Sequence, residues 1–280
     1  MKILVPVDGS PKSESTLPLA GRLAELWQAE ILVLKVMDPT VGALDPLTTS
    51  LSDSAYQRMV AEDQLYLEDL CTRHKDFPMR PLHRIGSPLL CIDEVARQEA
   101  CDLILMATHG HEGLVRWLWG SVAEGVARHA PCPSMLVRSP ETPTVFRELL
   151  IPTDGSEESL SVAKRVGRFV GPETRVTLLH CTGALPQDKA EYLAQAELRN
   201  LLRQQVDGRP WMRLDFASNP APRGILDWLA NNRCDLIAMS THGREGLARL
   251  WKGSVTEEVT RHSNCPVLTF PPPIFAHEPE

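Results

Sequence analysis

The chain lacks the short motifs by which phosphate and metal sites are most often recognised. Its 280 residues contain no Gly-Lys pair, which excludes a Walker A loop, and no GxGxxG, which excludes the dinucleotide-binding fingerprint. There is no CxxC pair and no spaced His/Cys/Asp cluster typical of zinc. The sequence therefore predicts no metal ligand.

Positive charge and long apolar runs are also scarce. The net charge of −7 argues against a general nucleic-acid binder, because phosphate contacts need a basic surface. No run approaches the roughly 18 apolar residues of a membrane span, and MKILVPVDGS turns polar too early for a secretory signal. The seven cysteines, an odd number, are typical of free thiols in a reducing compartment. We expect a cytoplasmic protein without nucleic-acid or membrane partners.

The chain does contain a long internal repeat. THGHEGLVRWLWGS at 108–121 and THGREGLARLWKGS at 241–254 are identical at nine of fourteen positions. MKILVPVDGS likewise matches ELLIPTDGS, and GSVAEGVARHAPCP matches GSVTEEVTRHSNCP. A repeat of this length is a duplicated domain rather than a solenoid unit. The predicted domains are 1–140 and 146–272, followed by a tail at 273–280.

Each half alternates short strands with helices. Apolar β-prone runs such as KILVPV, EILVLKV and DLILMA are separated by amphipathic patterns, for which helices are expected at Ser13–Gln28 and, in the second half, at Glu158–Val170. Continuous apolar strands alternating with helices predict a parallel sheet covered on both faces. The predicted fold class is α/β, with two tandem Rossmann-like domains that each hold a five-stranded parallel sheet. Ligands of such sheets bind at the carboxyl ends of the strands.

The repeated glycine-bracketed segment predicts an anion site. A strand, a glycine-containing loop and a helix start together present free N–H groups and the positive end of a helix dipole. Gly110 and Gly120 would let the backbone approach a phosphate closely, and the Ser121 hydroxyl could donate to it. An alternative stays open: Ser121–Glu124 and Ser254–Glu257 both fit capping boxes, in which the serine serves only the helix.

A second candidate contact follows the first strand of each half. The sequence reads PVDGS at 6–10 and PTDGS at 152–156. A turn and a helix cap would explain this pattern without a ligand. Its position beside the loop after strand four also allows Asp8 and Asp154 to accept hydrogen bonds from a ribose or from the amino group of a base.

PVDGS, DLILMATHG and GSVAEGVARHAPCP, in this order and present twice, together resemble the universal stress protein family over nearly the whole chain. The nucleotide-binding branch of that family carries G-x2-G-x9-G-[ST] and binds ATP; a Mg²⁺ ion beside the phosphates is left open. The resemblance implies adenine and ribose contacts, then phosphate contacts, in the first half at Pro6, Asp8, Val36, Met106, Ala107, Gly110, Gly120, Ser121 and Val122. In the second half it implies them at Pro152, Asp154, Cys181, Met239, Ser240, Gly243, Gly253, Ser254 and Val255.

The chain departs from the family motif at one position. The first glycine is Ala107 in one half and Ser240 in the other, and the small side chain either leaves room for the nucleotide or crowds its ribose. Whether one, both or neither half binds ATP is therefore open. The family also dimerises through its fifth strands, which implies an intramolecular pseudo-dimer through 135–137 and 267–270. A homodimer of two chains is left open.

Three functions remain from the sequence. The first is an ATP-binding stress-response or signalling regulator whose nucleotide state biases partner binding. The second is a slow ATP hydrolase, and the third is a nucleotide-free interaction module. No catalytic residue is predicted, because His109 and His242 have no visible partner acid and no metal-binding carboxylate pair is evident. We expect at most a slow ATPase.

Overall fold

The chain folds as two units, Met1–Pro140 and Glu141–Glu280. The computed structural model describes residues 1–39, 53–108, 120–138, 143, 145–183, 186, 188–241 and 255–272. The tail expected at 273–280 lies outside the described residues. Within these ranges, no helix is both long enough and apolar enough to cross a membrane.

The first unit is built on five parallel strands in the order β3-β2-β1-β4-β5. Ile3, Leu32 and Leu103, from its three central strands, are completely buried. Strands buried on both faces read as continuous apolar runs, which is the pattern seen in the sequence. The strands are β1 (Lys2–Val7), β2 (Glu30–Met37), β3 (Met79–Ile85), β4 (Leu103–Ala107) and β5 (Ser134–Val137).

The helices of the first unit are α1 (Pro11–Glu14), α2 (Leu17–Trp27), α3 (Asp53–Arg73), α4 (Pro88–Gln98) and α5 (Ser121–His129). The single helix expected at Ser13–Gln28 is wrong, because the chain breaks between α1 and α2. The hydroxyls of Ser15 and Thr16 donate back to backbone carbonyls at 2.6 and 2.8 Å. Pro18, which lacks an N–H, then occupies the first turn of α2.

The second unit repeats this architecture with the strand order β8-β7-β6-β9-β10, again with parallel pairing. Its strands are β6 (Glu148–Pro152), β7 (Arg175–Cys181), β8 (Met212–Ala217), β9 (Leu236–Ser240) and β10 (Val267–Phe270). Its α-helices are α6 (Glu157–Arg165), α7 (Lys189–Val206), α8 (Arg223–Asn231) and α9 (Val255–His262).

The helix expected at Glu158–Val170 ends earlier than the periodicity predicts. The α-helical part stops at Arg165, and Val166–Arg168 form a 3₁₀ turn. The N–H of Phe169 donates to the carbonyl of Val166 at 2.8 Å, an i→i+3 bond that tightens the final turn. Gly167 in this turn lowers the local helix propensity.

The predicted fold class is confirmed in both units. In each unit, the first strand is central, and the second and third strands are added one after the other on one side of it. The chain then crosses the sheet and adds the fourth and fifth strands on the other side of the first. The crossing point lies between β1 and β4, and between β6 and β9. β1 pairs with β4 only at Ile3–Leu103 and Leu4–Ile104, so the two strands are not paired beyond this point toward their carboxyl ends. A crevice at that position is where open α/β sheets bind their ligands.

At the opposite end of the first unit, an ion network joins the amino ends of its strands to α4. Glu99, which follows α4, accepts from Lys2 at 3.1 Å and from Arg80 at 2.6 Å. Arg80 also donates to Glu30 at 2.8 Å. Hydrogen bonds from Arg80, and then from Lys2, lower the pKa of Glu99 to about 2 from an ordinary value of 4.5.

We predict that Glu99→Gln destabilises the protein near neutral pH and that the loss disappears in acid. Because the pKa of Glu99 is lowered by folding, its stabilising contribution is present above about 4.5 and is lost as pH falls toward about 2. The check is the urea midpoint of parent and variant across this range. Glu94→Gln, on the exposed side of α4, is the matched control and should change the midpoint little at any pH. A difference for Glu99→Gln that persists near pH 2 would contradict the prediction.

Candidate functional site

The carboxyl ends of three adjacent strands bring together the predicted first-half residues that the structure describes. β2, β1 and β4 are neighbours in the sheet. Val36 lies near the end of β2, Asp8 follows β1, and Met106 and Ala107 end β4. Met106 is 7% exposed and Val36 is half-buried. This edge therefore combines apolar surface with the carboxylate of Asp8.

Each Asp-Gly-Ser loop is a hydrogen-bonded turn. Asp8 Oδ1 accepts from the backbone N of Ser10 at 2.9 Å and from its Oγ at 2.6 Å. Asp154 makes the same two bonds to Ser156, at 2.9 and 2.6 Å. The turn expected from the sequence is thus present in both halves. It fixes each carboxylate beside the end of the first strand.

The glycine of this turn is required by the backbone. Gly9 has φ +90° and Gly155 has φ +80°, a region that L side chains rarely adopt. The two halves differ in what packs against the glycine of this turn. A Cβ on Gly9 would meet no described atom within 4 Å, whereas one on Gly155 would lie 2.1 Å from Leu198 Cδ1. Leu198 of α7 therefore packs onto the loop in the second half.

The start of α5 lies directly at the end of β4. Thr108 continues the ladder, with its N–H donating to Val137 O at 3.0 Å, and its own carbonyl accepts from Gly120 N at 3.1 Å. Gly120 has an ordinary φ of −58°. A Cβ there would lie 3.2 Å from Thr108 O. Glycine at 120 is thus explained by the close approach of two backbone segments and not by a left-handed conformation.

The capping-box interpretation of Ser121 is wrong. α5 begins at Ser121 itself, its N-cap is Gly120, and no side-chain hydrogen bond caps it. Glu124 pairs instead with Arg128, at 3.4 Å. Ser121 is exposed at the first position of the helix. Because the serine is one residue inside the cap position, its hydroxyl does not serve the helix in the way that the alternative requires.

The second half places its described candidates at the equivalent edge. Asp154 follows β6 (in which Pro152 is the last residue), Cys181 ends β7, and Met239 and Ser240 end β9. Val255 begins α9, and Thr256 Oγ1 beside it donates to Ser240 O at 3.3 Å. The helix start is thus tied to the strand end here too. The candidates Gly110, Gly243, Gly253 and Ser254, with His109 and His242, lie outside the described residues.

Cys181 replaces Val36 without adding a charge. Burial raises the pKa of its thiol to about 11, so it stays protonated at neutral pH. A Cβ on Gly224 would lie 2.8 Å from Cys181 Sγ, which shows how closely α8 packs on the thiol. Cys181 therefore acts as an apolar wall, as Val36 does.

Sequence reasoning missed Lys35. Its Nζ donates to Asp8 O at 3.3 Å and lies 3.6 Å from Asp63 Oδ1. The other oxygen of Asp63 lies 3.2 Å from His83 Nε2. The available signal was a lysine inside the apolar run EILVLKV, where a charged side chain needs a partner. At the equivalent place in β7, His180 Nδ1 lies 2.9 Å from Thr153 O.

Within the described residues, no group of three or more His, Cys, Asp or Glu side chains is placed to hold a metal ion. A cavity of about 210 Å³ in the second unit lies between α6 and the amino end of β8, with Lys164, Trp211 and Met212 in its lining. It is remote from the carboxyl ends of the strands.

Several known proteins with related sequences or structures carry the same family name. The model of the universal stress protein family matches residues 1–138 and 146–271. A universal stress protein of Methanocaldococcus jannaschii is 30% identical over 147 residues, which are 50% of this chain and 83% of that protein. The crystal structure of a universal stress protein from Archaeoglobus fulgidus has the same fold over 96% of this chain and 98% of that protein's chain, with a TM-score of 0.69 and 19% sequence identity. One in complex with cAMP covers 49% of this chain and 96% of its own, with TM-score 0.38 and 20% identity.

We predict that Ser121→Ala leaves stability within about 0.5 kcal/mol of the parent, because Ser121 does not cap α5. Ser156→Ala should cost about 1 kcal/mol, because Ser156 caps α6 through its bond from Ser159 N at 3.3 Å. Urea unfolding of both variants provides the measurement. An equal loss in the two variants would restore the capping-box interpretation of Ser121.

Proposed function

The chain belongs to the universal stress protein family, and from that premise we propose that it is a cytoplasmic ATP-binding regulator of the stress response, whose nucleotide state biases its binding to partners. The observation that carries this proposal is the start of α5. The exposed Ser121 and the first-turn N–H groups of α5, whose N-cap residue Gly120 has no side chain to accept from them, lie at the end of β4, beside the Asp8 turn. The same edge offers apolar surface for a base.

The phosphates would bind at the start of α5. The N–H groups of Ser121, Val122 and Ala123 belong to the first turn, where a helix offers donors that its own carbonyls do not use. The helix dipole adds a partial positive charge at this point. Gly120 approaches Thr108 O closely and itself places no side chain between the strand end and the helix. A phosphate therefore meets backbone donors directly.

The base and ribose would occupy the neighbouring strand ends. Met106 and Val36 would supply the apolar surface that a nucleobase requires, and Pro6 lies beside them as the next-to-last residue of β1. The Asp8 carboxylate, fixed by its turn, is placed to accept from a ribose hydroxyl. A Mg²⁺ ion, where present, would take its ligands chiefly from phosphate oxygens and water.

The second half would bind the same ligand with its own residues. Pro152, Asp154, Cys181, Met239 and Ser240 take the corresponding positions. Leu198 packs on the Asp-Gly-Ser turn there, and Ser240 carries a hydroxymethyl group where the family motif has glycine. We therefore propose that the first half is the tighter of two ATP sites. The pairing of the fifth strands and the domain limits 1–140 and 146–272 remain part of the proposal.

The experiment is to denature the freshly purified chain and identify the released nucleotide by chromatography and mass spectrometry. We predict ATP or ADP in the parent and its loss from the first site in Gly120→Asp. Aspartate is among the preferred N-cap residues and places a negative charge where the phosphates bind. Its Cβ would also lie 3.2 Å from Thr108 O, so Gly120→Ala, which adds the Cβ without the charge, is the steric control and should retain more nucleotide than Gly120→Asp. Gly253→Asp applies the same change to the second half.

Gly167→Asp is the matched control, because a Cβ at this exposed position would meet no described atom within 4 Å. It should retain as much nucleotide as the parent. A parent that is empty and shows no heat with added Mg-ATP in calorimetry would favour the nucleotide-free module, which Ala107 and Ser240 support. Repeated turnover of added ATP would favour the slow hydrolase. Release of cAMP alone would replace ATP as the ligand.

A further inference from the structure

The same pair of cysteines occurs once in each half. Cys101 and Cys132 lie just before β4 and β5, and Cys234 and Cys265 lie just before β9 and β10. β4 and β5 are hydrogen-bonded neighbours, as are β9 and β10. Each pair therefore brings two thiols together at the amino end of adjacent strands. This end is opposite to the proposed nucleotide site.

The second-half pair is held in direct contact. Cys265 Sγ donates to Cys234 O at 2.9 Å, and Cys234 Sγ donates to Leu236 O at 3.2 Å. Cys265 Sγ therefore lies against the backbone of Cys234. The strands are fixed at this level, because Ile237 N donates to Pro266 O at 3.0 Å. Both thiols are free and half-buried.

Ser263 distinguishes the surroundings of Cys265. Its Oγ accepts from Cys265 N and donates to Cys265 O, both at 2.9 Å. Hydrogen bonding from Cys234, and then from Ser263, lowers the pKa of Cys265 although burial and Asp235 oppose the shift. The same pairing raises the pKa of Cys234. One thiol is thus prepared to act as a nucleophile, with the other beside it.

The first-half pair lacks this arrangement. Cys101 is 7% exposed and Cys132 is 9% exposed. Burial raises the pKa of Cys101 to about 11 and that of Cys132 to about 12. Ala130 stands where the second half has Ser263. These thiols stay protonated and shielded, so they form an internal control for the other pair.

We propose that Cys234 and Cys265 form a reactive dithiol site whose substrate class is low-molecular-weight disulfides. The Cys265 thiolate attacks one sulfur of such a disulfide, forms a mixed disulfide and expels one thiolate. Cys234 then attacks the Cys265 sulfur, closes the intramolecular bond and expels the second thiolate. The two protein protons end on the released thiols. Two protein thiols are oxidised as one disulfide is reduced to two thiols.

The experiment treats the reduced full-length chain with oxidised glutathione, in chelator and without air. After alkylation of the remaining thiols, intact mass and non-reducing peptide maps give the products with time. We expect a Cys234–Cys265 crosslink to form at least about tenfold faster than any change at Cys101 or Cys132, because exchange rates follow the accessible thiolate.

Variants identify the two roles. Cys234→Ser should stop at one glutathione on Cys265, whereas Cys265→Ser should lose most of the reaction. Ser263→Ala gives the second half the residue of the first, and should slow crosslinking several-fold without changing the product. Ala130→Ser is the reciprocal change and tests whether the hydroxyl alone can activate Cys132. Circular dichroism of each variant establishes that it is folded.

Three results would overturn the proposal. One is a parent in which Cys234 and Cys265 are alkylated in full after glutathione treatment. The second is equal or faster oxidation of Cys101 and Cys132. The third is a crosslink that joins two chains instead of closing within one. If a serine variant fails to fold, the alkylation rates of the four thiols in the parent give the same ranking test.

Discussion

The short contact between β1 and β4 is the constraint on which the rest of each unit depends. β1 pairs with β2 over six residues but with β4 over only two. In the second unit β6 pairs with β9 over two residues as well. Because the chain leaves these central strands toward opposite sides of the sheet, their carboxyl ends are where an open α/β sheet forms its ligand crevice. The Asp8 turn, the end of β4 and the start of α5 are all positioned by this one crossing.

The strands could be predicted from the sequence because burial on both faces leaves a continuous apolar run. The run KILVPV coincides with β1 (Lys2–Val7), while EILVLKV and DLILMA differ from β2 (Glu30–Met37) and β4 (Leu103–Ala107) by one residue each. The failures come from local hydrogen bonding that periodicity does not record. Ser15 and Thr16 bond back to the backbone and end α1.

The candidate site shows the same division between pattern and geometry. The order of the motifs predicted which strand ends would meet, because parallel strands share one carboxyl edge. It could not predict the role of Ser121, since a capping box and a helix that starts one residue earlier have the same sequence. The contact of Thr108 O with Gly120 decides between them, and that contact depends on tertiary structure. The ion pair of Lys35 with Asp63 joins a strand to a helix. A lysine inside an apolar run indicates that a partner exists, but the sequence does not tell which residue it is.

The two units share one strand order but differ at both ends of their strands. At the carboxyl ends Leu198 packs on the Asp-Gly-Ser turn of the second unit alone, and at the amino ends the two cysteine pairs differ in burial. A Cys234–Cys265 bond would close a loop of roughly 30 residues, which by chain entropy stabilises the folded state by about 3–4 kcal/mol. Cys234 lies six residues before Ser240, the last residue of β9, so at about 3.3 Å per residue this bond would form roughly 20 Å from the strand end at which we propose that a nucleotide binds. The β9–β10 ladder between them is continuous from Ile237–Val267 to Ser240–Phe270. Oxidation would therefore strengthen the second unit against unfolding while leaving the strand register at the proposed nucleotide site unchanged. Under the two proposals, stability and nucleotide binding respond to different signals.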